Sequence, residues 1–201
     1  MTHEGRLVAE PCSVAELRSS VARGWDPDFL FFWGHTPKPR QTHVGRECLS
    51  QWYRAPFVLE DRTFPTAEHL MMYRKATLFD DHAVAERIMT VRHPGEAKAL
   101  GRKVRGFDET VWKRARFEIV LTASLAKFSQ NVPLRAFLLS TRHRVLVEAS
   151  PRDAIWGIGL AESNPASRVP DQWRGLNLLG FALMQARREL VVSAVSPGPR
   201  S

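Results

Sequence analysis

Glu68 and Lys75 lie seven residues apart, two helical turns, in a stretch that reads as a helix from Phe64 to Phe79. Pro65 and Thr66 suit the first turn, good helix formers follow, and Asp80-Asp81 break the run. At helical spacing, Glu68, Met71, Met72, Lys75, Ala76 and Phe79 share one stripe. A carboxylate and an ammonium ~10 Å apart on the apolar side of a helix are costly to bury unless they pair or act on a ligand. A structural role accounts for the same residues: Glu68 favours the positive end of the helix dipole, and Lys75 snorkels to water.

The second stretch able to do chemistry runs from Glu148 to Gly159. Here a strand ends in a carboxylate, a tight turn follows, and Asp153 and Trp156 stand three residues apart. Loops leaving strand ends favour binding and catalysis, an indole is a platform for a planar base, and Gly157 and Gly159 admit close backbone approach. The plainer alternative is an Asp-capped turn and a core tryptophan.

Other chemistries find no support. The seven histidines have no metal-ligand spacing, and Gly157-x-Gly159 lacks the setting of a dinucleotide fingerprint. No nucleophile elbow or phosphate loop is present. Cys48 near His43 is a weak thiol pair that reads as structural. No metal or cofactor is expected.

These residues need elements to position them. Ser13 and Glu16 form a capping box for a short helix through Val21. Phe29–Trp33 fits a buried strand, and residues 35–46 form an exposed loop at the rim of a site. Phe57–Phe64 reads as a hairpin around Glu60-Asp61-Arg62 that delivers the chain into the helix of Glu68. Helices follow over His82–Val91, Gly95–Leu100, Glu109–Phe128 and Leu134–Leu139. In the longest, Trp112, Ala115, Ile119, Ala123 and Ala126 make an apolar stripe. Val145–Ala149 reads as a strand, a turn-rich segment runs to Gly175, and a last helix spans Leu176–Leu190. The expected fold is α+β: a single mostly helical domain with a small sheet from the Phe29–Trp33, Phe57–Phe64 and Val145–Ala149 segments. Residues 1–28 form an N-terminal extension with a short helix, 29–190 the domain, and 191–201 a disordered tail.

Composition agrees with one domain of 201 residues, 44% hydrophobic and 25% charged. Two cysteines make no disulfide framework, and no run approaches membrane-spanning length, so a cytoplasmic protein without membrane contact is expected. The net charge is +8, and 23 of the 29 basic residues are arginine, which suits phosphorylated ligands or nucleic acid. An Arg-rich solvated surface explains the charge equally well.

Taken together, Thr66-Ala67-Glu68-His69 with Lys75, Ala99-Leu100-Gly101-Arg102, Trp112, Lys127-Phe128, Leu146-Val147-Glu148, Asp153-x-x-Trp156-Gly157 and Gly175-x-Asn177-x-Leu179-Gly180 resemble the YbiA-like (NADAR) family from about Phe29 to Leu190. Ser50-Gln51-Trp52 stands where many members have Ser-Asn-Phe. The resemblance implies cleavage of an N-glycosidic bond, either in phosphorylated intermediates of riboflavin biosynthesis or in ADP-ribose attached to guanine. Breaking a C1–N bond builds positive charge on the sugar and negative charge on the base. Glu68 is then the carboxylate near C1. Lys75 either holds Glu68 ionised or attacks an opened sugar as a Schiff-base nucleophile, the latter implied by a lysine proposed in guanine-directed members. Asp153 positions the base or a water, and Trp112 and Trp156 flank the ring. Arg102 and Lys103 are the phosphate contacts, with Glu148, Gly157 and Asn177 as further substrate-binding candidates. Two rivals remain: the same chemistry on nucleic acid, with the 35–46 loop as a strand contact, and a binding module in which Glu68 and Lys75 are only an ion pair.

Overall fold

Helix α2 (Ala67–Leu78) sits between two cores in the computed structural model, which describes residues 10–195, with side chains through Ser193. Ala67 and Leu70 pack with Phe57, Phe64, Ala123 and Ala126, while Met71, Met72 and Ala76 face the larger core. Its first half is therefore buried all round, Glu68 and His69 included. The helix begins at Ala67 rather than Pro65, because Thr66 is its N-cap: the Thr66 side-chain oxygen accepts from the His69 N–H and contacts His69 Nδ1 at 2.8 Å.

Before it come α1 (Val14–Ala22), β1 (Phe29–Phe32) and the hairpin of β2 (Phe57–Leu59) and β3 (Arg62–Phe64). Glu60 and Asp61 both have positive φ (51° and 59°), as a two-residue turn matching the twist of a hairpin requires. After it come α3 (His82–Thr90), α4 (Pro94–Gly101), α5 (Glu109–Gln130), α6 (Val132–Ser140), β4 (Val145–Glu148) and α7 (Leu178–Val195). Ser13 caps α1 as expected, but Glu16 reaches back to the Cys12 N–H rather than closing a box on Ser13.

The domain is mostly helical, with a small β component. The three strand segments do not join in one sheet, however. β1 pairs with β4 in parallel, Phe29 to Val145 through Phe32 to Glu148, and the hairpin stands apart. Three further boundaries differ from the sequence reading. Trp33 lies past the end of β1 and is 63% exposed rather than buried. α7 starts two residues late, after Asn177 in the left-handed region (φ 50°), and runs to Val195, past the Leu190 expected. The buried face of α5 is not an unbroken apolar stripe, for Arg116, Ser124 and Lys127 lie on it. Residues 1–9 and 196–201, where the sequence predicts extension and tail, lie outside the described residues. No described helix is long and apolar enough to cross a membrane.

Candidate active site

The parallel pair β1–β4 ends in two loops on the same side, Trp33-Gly34-His35 and Ser150-Arg152-Asp153, and a cleft of about 480 Å³ opens between them. Ligands favour the carboxyl ends of parallel strands because successive loops diverge there. Ser50 and Trp52 close one wall, Lys98 of α4 and Arg102 at its C-cap another, and Glu148 lines the interior. A roomier groove at the opposite end of the strands (690 Å³) presents exposed Asp26, Asp28, Arg142 and His143.

Glu68 is within electrostatic reach of the cleft residues Lys98, Arg102 and Asp153. It is 2% exposed, and its Oε1 has no hydrogen-bond partner. Burial pushes its carboxyl up to about 7, while Lys98, the Trp52 indole and Arg102 favour the charged form and Asp153 opposes it. Glu148 is pushed further, to about 8, by burial and by Asp153 and Glu68, with Lys98 acting against them. Its Oε2 is likewise buried and unpartnered.

The loop after β4 explains the positions of the remaining acidic group and the glycine. Asp153 Oδ1 accepts from the Ile155 and Trp156 N–H groups at 2.9 and 2.8 Å, so it caps its turn while it lines the cleft. Gly157 packs where a Cβ would stand 2.6 Å from the Glu148 carbonyl oxygen. Asn177 is fully buried and grips β4, accepting from the Glu148 N–H and donating to the Leu146 carbonyl. Gly157 and Asn177 thus shape the backbone that carries Glu148. Trp156 is half-buried against the main core.

Glu68 and Lys75 are not an ion pair. The Lys75 ammonium sits 4.2 Å from the Phe107 ring centroid and 5.7 Å from that of Trp112, with no carboxylate partner among the described residues. Burial alone lowers its pKa. One turn beyond Trp112, buried Arg116 is within electrostatic reach of Asp153. Lys103 faces elsewhere, into a separate groove with Arg87 and Glu96.

Sequence reasoning missed Lys98, Trp52, Trp33, Arg152 and Arg116, while His35 begins the 35–46 loop expected at the rim of a site. Lys98 could have been found, since it precedes Arg102 by one turn on the same face of α4. Trp52 could not: it meets His35 tilted at 50° and His93 edge-on at 87° (centroids 5.5 and 5.9 Å), with Lys98 Nζ 5.8 Å above it, contacts that only the fold creates. The segment bearing Ser50 and Trp52 is anchored from below by Lys127. That fully buried ammonium donates to the Cys48 and Ser50 carbonyls at 2.6 and 2.8 Å. No group of three or more metal-ligating side chains occurs among the described residues.

Comparison with known proteins places these residues in a wider set. The NADAR domain matches residues 31–191. An N-glycosidase of Acanthamoeba polyphaga mimivirus is 38% identical over 166 residues, covering 80% of this chain and 95% of that protein. A maize protein named riboflavin biosynthesis protein PYRR, chloroplastic, is 35% identical over 136 residues, 64% of this chain but 20% of its own length. The NMR structure of YbiA from E. coli superposes with a TM-score of 0.69 at 26% identity, covering 88% of this chain and 92% of that one.

Proposed function

The chain belongs to the NADAR domain family and is a hydrolase acting on N-glycosyl bonds; we propose that its substrate is a small phosphorylated ribosylamino-pyrimidine of riboflavin biosynthesis. The observation that carries this reading is the buried Glu68 carboxyl, its Oε1 without a partner, within electrostatic reach of the Lys98 and Arg102 that line the cleft. A carboxylate there stabilises the positive charge that grows on C1, and low surrounding polarity strengthens the effect. Lys98 and Arg102 take the sugar phosphate, with Arg102 offering the two-pronged contact that a phosphate accepts well. Trp52 and Asp153 bracket the base.

Lys75 is assigned the nucleophile's part rather than that of an ion-pair partner. Its ammonium has two aromatic rings for neighbours and no carboxylate among the described residues, and desolvation raises the share of free amine that can attack an opened sugar. Residues 29–190 are taken as the unit that carries the activity. α1 braces it through Arg18, which donates to the Pro170 and Trp173 carbonyls.

A second substrate, ADP-ribosylated guanine, draws support from Trp33, whose exposed indole stands at the cleft rim beside Arg152. Incubation of the purified protein with each compound separates the two. Release of ribose 5-phosphate from the pyrimidine supports the proposal; release of ADP-ribose alone transfers it to the guanine adduct. Catalysis that falls steeply between low and physiological salt would point to a nucleic-acid substrate, because many counterions are then displaced.

A further inference from the structure

The chemistry above supplies charge at C1 but no proton for the departing base. Resting on that N-glycosidase reading, we propose that Glu148 is the acid that protonates the base as it leaves. Glu148 ends β4 with its side chain lining the cleft and its Oε2 buried without a partner. Its backbone is fixed on both sides: the N–H donates to Asn177 Oδ1 and the carbonyl accepts from the Ile158 N–H, each at 3.0 Å. The parallel register sets it opposite Phe32. A proton donor needs such a fixed position, because transfer requires hydrogen-bond reach.

Its surroundings divide the labour between two carboxyl groups. Facing Glu148 or lining the same cleft are Glu68 from α2, Lys98 and Arg102 from α4, His35 after β1, and Arg152 and Asp153 after β4. Glu68 has Lys98, Arg102 and the Trp52 indole to favour its charged form, whereas Glu148 has only Lys98 against burial and two acidic neighbours. Glu148 therefore holds its proton to higher pH. Paired carboxyls pushed apart in this way mark an acid and a charge stabiliser. Asp153 is already engaged elsewhere, its Oδ1 accepting two backbone N–H groups as the cap of its turn.

In the step, the C1–N bond breaks and its electron pair goes to the base nitrogen. The Glu148 carboxyl proton passes to the base, and Lys98 stabilises the carboxylate left behind. The uncharged Lys75 amine adds to C1 and the sugar ring opens to a protonated Schiff base; water then adds its oxygen to C1, the C1–Nζ bond breaks with its electron pair and one water hydrogen going to Lys75, and the other hydrogen returns to Glu148. One water is consumed, and a reducing sugar phosphate and a protonated amine-bearing base leave.

The test compares two substrates: the ribosylamino-pyrimidine 5'-phosphate, whose base must be protonated, and p-nitrophenyl ribofuranoside 5-phosphate, whose phenolate leaves unaided. Glu148→Gln should slow the first by roughly a hundredfold or more and the second by less than about fivefold. Wild-type protein should show a fall in kcat/KM above about pH 8 with the pyrimidine and none with the nitrophenyl sugar. This readout needs no variant to fold. Glu148→Asp should keep that alkaline fall at a lower rate. Equal losses on both substrates, or the same pH profile for both in the wild type, overturn the assignment while leaving the N-glycosidase reading intact. A wild type inert on every N-glycoside tried overturns that reading, and the role of Glu148 with it.

Discussion

Asn177 holds Glu148 through the backbone: its Oδ1 accepts from the Glu148 N–H at 3.0 Å, and its Nδ2 donates to the Leu146 carbonyl at 2.9 Å. One side chain thus ties the start of α7 to the end of β4, two residues of the strand at once. Its own backbone sits at φ 50°, where Asn is tolerated better than most residues. Asn177→Ala leaves two buried backbone groups unpaired, at about 1–3 kcal/mol each. The melting temperature should fall by roughly 5–15 °C, read by thermal denaturation. Asn177→Asp keeps the acceptor and loses the donor, so it should fall between the two.

The paired carboxyls make stability depend on pH with a definite sign. Unfolded, each titrates near about 4.3; folded, Glu68 holds its proton to about 7 and Glu148 to about 8. The native state therefore binds more protons across that interval, and stability falls as pH rises through it, levelling off above. Their contribution is full below about pH 4.3 and is lost by about pH 8. Removing either titration should flatten the curve, so Glu68→Gln and Glu148→Gln should melt higher than wild type at pH 8.5 and no higher at pH 4. Equal pH dependence in all three proteins would contradict the placement of these groups.

Much of the frame was legible in residue patterns because local chemistry dictated it. Asp81 and Asp108 are N-caps, and helices begin after each, whereas Thr66, which suits a first turn equally well, proves to be a cap too. The cleft itself was only half legible. Glu68 announced itself by sitting on an apolar stripe, but Lys75 shares that stripe two turns on and meets Phe107 instead of Glu68. Lys98 and Trp52 come from elements whose docking no local pattern records. Arg116 and Lys127 were hidden by their own charge: a stripe drawn through apolar residues on α5 steps around the buried cations. The separate two-stranded sheets escaped for a related reason, since the pairing of Phe29–Phe32 with Val145–Glu148 spans more than a hundred residues.

Lys75 carries a prediction that separates it from a structural cation. With aromatic rings rather than an acid beside it, Lys75→Ala strands no buried charge and should lower the melting temperature by no more than about 4 °C, the cost of a lost cation–π contact. Turnover should nevertheless vanish. Borohydride added during reaction should trap sugar on the wild type and not on Lys75→Ala, as mass spectrometry of the intact protein would register. A destabilisation of roughly 3–5 kcal/mol would instead mark a broken buried ion pair.

The charge-stabilising role proposed for buried Glu68 in the breaking of an N-glycosyl bond is read from kcat/KM of wild type and Glu68→Gln on the ribosylamino-pyrimidine 5'-phosphate, with melting temperatures measured in the same buffer at pH 7.5. Gln keeps the size and hydrogen-bonding capacity of Glu68 and removes its charge. The wild type should release ribose 5-phosphate, and the variant should lose roughly a hundredfold or more of that rate with its melting temperature unchanged or raised. A folded Glu68→Gln protein with full specific activity, or one inactive only because it melts early, would contradict that role.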